Sequence, residues 1–295
     1  MAISHVLTEL EAADGGSETA KKLPEITLAF WITKIAATTL GETAGDLFAQ
    51  TFRIGYLLTT VVFFSVFLVT LALQLRARHY RPFFYWTVIL MTSLAGTTIS
   101  DFMNRDASAK YLSGGAGSLG WGPQGLGLGY PTGAVVLMSL LAAIFITWKV
   151  TGLTLAIRDI VTLKGEALFW SAILVSNTLG TSSGDFLSDT SGLGYAGGAL
   201  FIVGILGLLL ALRHVPVVSE VMLFWVAFVL TRPLGATAGD FLTKPADRGG
   251  LQLGTLGSSM FLLAILFGFV GYAQLQERRR AVPDTARPQF RSGLQ

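Results

Sequence analysis

Thr38–Asp46 reads Thr-Thr-Leu-Gly-Glu-Thr-Ala-Gly-Asp and lies inside a long apolar segment. It recurs as Ser93–Asp101 (Ser-Leu-Ala-Gly-Thr-Thr-Ile-Ser-Asp), Asn177–Asp185 (Asn-Thr-Leu-Gly-Thr-Ser-Ser-Gly-Asp) and Arg232–Asp240 (Arg-Pro-Leu-Gly-Ala-Thr-Ala-Gly-Asp). Each copy has a Trp ten residues before its first Gly (Trp31, Trp86, Trp170, Trp225) and an Asp five residues after it. The first glycines, Gly41, Gly96, Gly180 and Gly235, are 55 apart within each half and 139 apart between halves. That arithmetic is what a two-helix unit leaves when it is duplicated and its four-helix product is duplicated again.

The surrounding composition belongs to a membrane protein. Hydrophobic residues make up 52% of the 295 and charged residues 13%, with a mean hydropathy of +0.61; soluble domains carry about 25% charged residues. Eight stretches approach the roughly 20 residues needed to cross a bilayer: Ile26–Gln50, Ile54–Gln74, Phe83–Met103, Pro131–Leu153, Ala167–Leu187, Gly194–Leu212, Val221–Leu242 and Leu253–Gln274. The expected fold is an all-α polytopic membrane protein of eight transmembrane helices. Residues 25–153 and 154–275 form its two four-helix halves, between a disordered cytosolic tail at 1–24 and a basic cytosolic tail at 276–295. Because each unit crosses twice, all four motifs enter the membrane in one direction, so the repeats are parallel. The even-numbered helices begin with a weaker echo, Gly55-Tyr56, Gly129-Tyr130, Gly194-Tyr195 and Gly254-Thr255.

The net charge of +3 would suggest anionic partners in a soluble chain. Here the basic residues sort into the loops of one side, which marks topology and not nucleic-acid binding. The asymmetry puts both termini in the cytosol and the Asp ends of the motifs outside. Only Arg53, Arg105, Lys110, Lys244 and Arg248 fall in the opposite loops. The glycine-rich connection Ser113–Gly125 reads as a turn-rich loop. Cysteine is absent, which excludes disulfides, thiolate metal sites and a cysteine nucleophile.

Residues four apart share a helix face. Counting back from each Asp gives stripes Lys34-Thr38-Glu42-Asp46, Ser93-Thr97-Asp101, Asn177-Thr181-Asp185 and Arg232-Ala236-Asp240, with a hydroxyl beside each (Thr43, Thr98, Ser182, Thr237). Lipid cannot solvate such groups, so the stripes must face the bundle interior. The candidate metal ligands are Asp46, Asp101, Asp185, Asp240, Glu42, Thr43, Thr98, Ser182 and Thr237. These hard oxygen donors suit Mn²⁺, Mg²⁺ or Ca²⁺. Lys34 and Arg232 are the charge-compensating residues. Lys34, near its helix start, is expected to snorkel to the cytosolic interface, and Arg232 to pair with Glu42 or a motif Asp. With only those two cations, three of the five carboxylates remain to be met by protons or a bound ion. Gly41, Gly45, Gly96, Gly180, Gly184, Gly235 and Gly239 form small-xxx-small pairs that bring helices close. His5, His79 and His214 lie in the tail or in cytosolic turns, away from the motifs.

The Leu-Gly-x-Thr-x-Gly-Asp-like copies, Leu40–Asp46, Leu179–Asp185 and Leu234–Asp240 with the divergent Ala95–Asp101, resemble a family of uncharacterised bacterial membrane-anchored repeat proteins. That resemblance covers residues ~26–275, implies a bacterial inner-membrane location and brings no established activity. Departures at Ala95, Ser100 and Ser182 predict four sites that are not equivalent.

Three function classes follow. The first is a transporter or channel for a small cation, a hard divalent metal, with proton exchange as a means of coupling. The second is a scaffold or sensor with a structural ion site. The third is an intramembrane aspartyl-type hydrolase, against which the Gly-x-Gly-Asp pattern is broken at Thr43, Ser182 and Thr237; the expectation is that the protein is not an enzyme. No cofactor beyond a bound divalent cation is called for. The partners are the small cation and the bilayer, and a homo-oligomer is compatible with all of these features.

Overall fold

A chain whose polar side chains recur every fourth residue inside apolar helices must find partners for them away from lipid, and the tertiary arrangement supplies those partners. The computed structural model describes residues 23–77, 80–105, 125–160 and 162–280. Residues 1–22 and 281–295 of the expected tails, and most of the glycine-rich connection, lie outside the described residues. Eight long helices are present among them: α1 (Leu28–Asp46), α2 (Tyr56–Arg76), α3 (Pro82–Asn104), α4 (Tyr130–Val150), α5 (Leu163–Asp185), α6 (Gly194–Leu212), α7 (Glu220–Thr243) and α8 (Gly254–Arg280). Two short 3₁₀ turns, Ile157–Asp159 and Ala246–Arg248, sit in connections. Gly194–Leu212 has the expected ends, and α8 runs six residues past the expected Gln274. Thr27 caps α1 by accepting from Phe30 N at 3.3 Å, and Thr162 caps α5 by accepting from Gly165 N at 3.1 Å.

The odd-numbered helices, which carry the motifs, form a closed ring: α1 packs on α3, α3 on α5, α5 on α7 and α7 on α1. The even-numbered helices stand outside. Each packs against the motif helix of the following repeat, α2 on α3, α4 on α5 and α6 on α7, and α8 returns to α1. The parallel repeats thus close around one approximate fourfold axis, and the two halves share a single interior. Gly55, Gly129, Gly194 and Gly254, at the starts of the outer helices, all have positive φ (85°, 75°, 67° and 72°). These turns need a residue without Cβ, which explains the echo in the sequence.

The distribution of polarity is inverted relative to a soluble protein. Val61, Val62, Val69, Val135, Met138, Leu200, Phe201, Met260 and Phe267 on the outer helices are exposed, whereas the stripes of the inner helices are buried. Six helices, α2, α3, α4, α6, α7 and α8, are long and apolar enough to cross a membrane. The other two, α1 and α5, are more polar: α1 holds Lys34, Glu42 and Asp46, and α5 holds Lys164, Glu166, Asp185 and a run of Ser, Thr and Asn. Both are ring members, so Lys34, Glu42, Asp46, Glu166 and Asp185 are covered by protein, while Lys164 at the start of α5 is exposed.

The motif glycines make the ring close-packed. Residues eight before the Asp on one helix seat on the first motif glycine of the preceding helix: Ser93 on Gly41, Asn177 on Gly96, Arg232 on Gly180 and Thr38 on Gly235. A Cβ at Gly96 would lie 3.0 Å from Asn177, and one at Gly235 2.5 Å from Thr38 Oγ1. The second glycines receive the residue four before the Asp, Thr97 on Gly45, Ala236 on Gly184 and Glu42 on Gly239, with Cβ approaches of 2.9, 2.7 and 2.9 Å. A Cβ at any of these positions would force the facing residue to shift.

Candidate functional site

The ring interior is built of layers, one per helical turn. At its N-terminal end, the residues sixteen before each Asp are Phe30, Tyr85, Phe169 and Phe224, each directly preceding a motif Trp. Each ring meets the Trp of the next helix: Phe30–Trp86 at 5.6 Å, Tyr85–Trp170 at 5.7 Å, Phe169–Trp225 at 6.0 Å and Phe224–Trp31 at 5.6 Å between centroids. Edge and tilted contacts at these distances are favourable. Eight aromatic rings therefore close this end. The Trp pattern was visible in the sequence, and the aromatic before each Trp is the missed half of it.

One turn further along sit Lys34, Ile89, Ile173 and Phe228, all buried. Lys34 does not snorkel. It is 0% exposed, and its ammonium stands 3.7 Å over the Phe228 ring with no hydrogen-bond partner. The neighbouring inner helices enclose it, and a cation–π contact replaces the interface.

Above this layer Arg232 crosses the axis. Its Nη2 lies 3.1 Å from Glu42 Oε2 on α1, donates to Thr97 Oγ1 on α3 and to Thr181 Oγ1 on α5 at 2.6 Å, and approaches Ser93 O at 3.5 Å. Nη1 donates to Thr38 O at 3.4 Å. One guanidinium thus touches all three other inner helices. Thr97 and Thr181 also donate to Glu42 Oε2, each at 3.3 Å. The fourth member of this layer, Ala236, is small and leaves the centre to Arg232.

The last layer holds the four Asp residues, at most 3% exposed. Glu42, Asp46 and Asp240 offer oxygens within 4.8 Å of one another. Asp185 lies within the fields of Glu42, Asp240 and Asp101. Two cations at the rim complete the layer. Lys244 Nζ is 3.1 Å from both Asp46 Oδ2 and Asp240 Oδ1. Arg105 Nε is 2.7 Å from Asp101 Oδ1, and its Nη2 is 3.7 Å from Asp185 Oδ2. Burial opposes both charges, yet the facing carboxylates outweigh it: Asp46 and Asp240 hold Lys244, and Asp101 chiefly holds Arg105, above their ordinary pKa ranges.

These contacts change the charge balance expected from sequence. Arg232, Arg105 and Lys244 stand against the five carboxylates and leave an excess of two, where Lys34 and Arg232 would have left three; Lys34 is spent over Phe228 instead. Arg105 and Lys244, which the loop count assigned to the outer connections, fold back onto the motif. The overlooked signal is their position: each is four residues after its Asp, and they are 139 apart. The equivalent residues of repeats 1 and 3 are Gln50, which donates to Asp46 Oδ1, and Asp189. In those two repeats the helix widens just after the Asp into π-helical turns, Leu47–Thr51 and Phe186–Thr190.

The hydroxyls expected beside the Asp residues hydrogen-bond elsewhere. Thr98 donates to Leu94 O at 3.2 Å and Thr237 to Pro233 O at 3.0 Å on their own helices. Thr43 accepts from Ser259 on α8 at 3.0 Å, and Ser182 joins Ser100 at 2.8 Å and Asn104 at 2.7 Å. Each of the four directly follows a stripe residue, and adjacent residues do not share a helix face, so Thr97 and Thr181 reach the Glu42 carboxylate and these four do not.

Segments 29–80, 84–154, 168–216 and 223–279 each match the family model described as a Repeat of Unknown Function (DUF347). The chain belongs to this repeat family. Each DUF347 segment spans one inner and one outer helix, so the family unit and the structural unit coincide. No curated protein and no solved structure matches the chain.

Proposed function

We propose that this DUF347 protein is a bacterial inner-membrane transporter for a small cation, a hard divalent metal such as Mn²⁺, Mg²⁺ or Ca²⁺, exchanged against protons. In this reading all eight helices cross the bilayer, α1 and α5 shielded by their neighbours. Both termini are cytosolic and the Asp layer faces outward. The observation that carries it is the gathering of five buried carboxylates at one end of a closed ring of inner helices. Ionised groups in a membrane interior are costly and persist where they serve ions or protons. The carboxylate donors are hard, as these metals require.

The closed axis favours a transporter over an open channel. A cation entering from the Asp end meets the Arg232 guanidinium, an electrostatic barrier, and then the aromatic layer. Passage therefore requires rearrangement of the inner helices. The three protein cations that contact the acids also support the scaffold or sensor reading, in which the site is structural.

Ion flux into proteoliposomes decides between the two. Transport predicts uptake of at least one of Mn²⁺, Mg²⁺ or Ca²⁺, abolished when the four motif Asp residues are replaced together by Asn. Absence of flux for all three, with metal-dependent stabilisation retained, would establish the structural site instead.

A further inference from the structure

The acidic layer consists of two clips related by the 139-residue repeat, Asp46–Asp240–Lys244 and Asp185–Asp101–Arg105. They are unequally satisfied. In the first, Lys244 sits evenly between its two carboxylates, Gln50 donates to Asp46, and Arg232 serves Glu42. No oxygen of Glu42, Asp46 or Asp240 is among the described buried atoms without a hydrogen-bond partner.

In the second clip Arg105 is committed to Asp101, and its 3.7 Å approach to Asp185 is too long for a hydrogen bond. Asp101 Oδ2 and both oxygens of Asp185 are buried without a donor, although Asp185 is 0% exposed. The cause is a residue exchange. Where repeat 1 has the donor Gln50, repeat 3 has Asp189, an acceptor that is exposed at the rim and receives the Tyr195 hydroxyl at 3.2 Å. The same α3–α5 seam carries Asn104, whose Nδ2 donates to Ser182 and Ser100 while its Oδ1 lacks a donor. At the positions equivalent to Ser100 and Asn104, repeat 4 has Gly239 and Thr243.

We propose that the exchangeable cation is a hard divalent ion held by Asp101 and Asp185, and that the Asp46–Asp240–Lys244 clip is a permanent internal ion pair. This rests on the cation-transport reading and names which half of the site performs it. Buried carboxylate oxygens without donors are costly, and three of them on two adjacent helices form a hard-donor set. Asp189 at the mouth of this half draws cations in. Arg105 acts as a tethered competitor: with its guanidinium moved outward, the pair presents two negative charges to an ion of charge two.

The test is Mn²⁺ titration of the full chain in detergent, followed by the electron paramagnetic resonance of free Mn²⁺ and by the melting temperature. Asp185→Asn and Asp101→Asn are expected to weaken binding at least tenfold. Asp46→Asn, which leaves Lys244 paired with Asp240, is expected to leave it within about threefold. Arg105→Gln, which removes no ligand, is expected to tighten binding at least threefold, so the proposal does not depend on the Asp variants folding. Loss of binding in Asp46→Asn with retention in Asp185→Asn would overturn it, as would absence of Mn²⁺ binding in both wild type and Arg105→Gln. Asp185-dependent binding without ion flux in liposomes would sink the transport reading and leave this assignment standing. Flux that depends on Asp46 but not Asp185 would do the reverse.

Discussion

Arg232 on the seventh helix and Glu42 on the first form an ion pair at the centre of the ring, Nη2 to Oε2 at 3.1 Å, between side chains that are 0% and 2% exposed. These residues are 190 apart in sequence and meet only because α7 closes onto α1. Removing one partner of a buried pair costs about 3–5 kcal/mol because the other charge is left uncompensated. Arg232→Met is therefore expected to destabilise the protein by about that much. Arg232→Met combined with Glu42→Met should recover most of the loss. Denaturation midpoints of the two single variants and the double variant provide the check; additive losses would refute the coupling.

Lys244 gives a pH signature. Its pKa is raised by Asp46 and Asp240 over the opposing effect of burial. A raised cationic pKa contributes stability that is fully present below the unfolded value, about 10.4 for lysine, and is lost as pH rises through the folded value. The stability difference between wild type and Lys244→Met is thus expected to be flat from neutral pH to about 10 and to shrink only above that. Melting temperatures of both proteins across this range measure it. A difference that vanishes between pH 7 and 9 would contradict the clip.

The glycines separate packing from propensity. At Gly180 a Cβ would run into the Arg232 side chain and stand 3.0 Å from Pro233. Gly180→Ala is expected to cost about 1–3 kcal/mol by overpacking. Gly207, on the outer face of α6, has nothing within 4 Å of such a Cβ, and Gly207→Ala should be neutral or stabilising by up to about 1 kcal/mol through helix propensity. Parallel thermal melts distinguish the two.

The aromatic layer is expected to seal the axis. Phe169→Ala removes a ring that is 0% exposed and packed edge-on against Trp170 and Trp225. A loss of about 3–5 kcal/mol is expected, together with a cation leak in proteoliposomes above the wild-type level. A leak-free, unchanged variant would show that the closure lies elsewhere.

Much of this architecture was legible from the motif alone. The 55- and 139-residue spacings determined the number of repeats and their parallel direction, and the four-residue stripe determined which side chains turn inward. The glycine pairs marked the contact faces, because only residues without bulk let helices approach so closely. All eight stretches read as crossings in the sequence, whereas six of the helices are apolar enough by length and composition; α1 and α5 fall short for the reason that makes them central, since their motif stripes are buried by protein.

The tertiary structure alone decided who meets whom. Nothing in the spacing of Lys34 says that Phe228, 194 residues away, lies beneath its ammonium, and so its burial was misread as snorkelling. Nothing local says that Lys244 bridges to Asp46 or that Arg105 faces Asp185. A helix stripe determines the face on which a residue lies. Which charges neutralise each other across an axis depends on the order in which helices close around it, and that is set by packing of the whole ring.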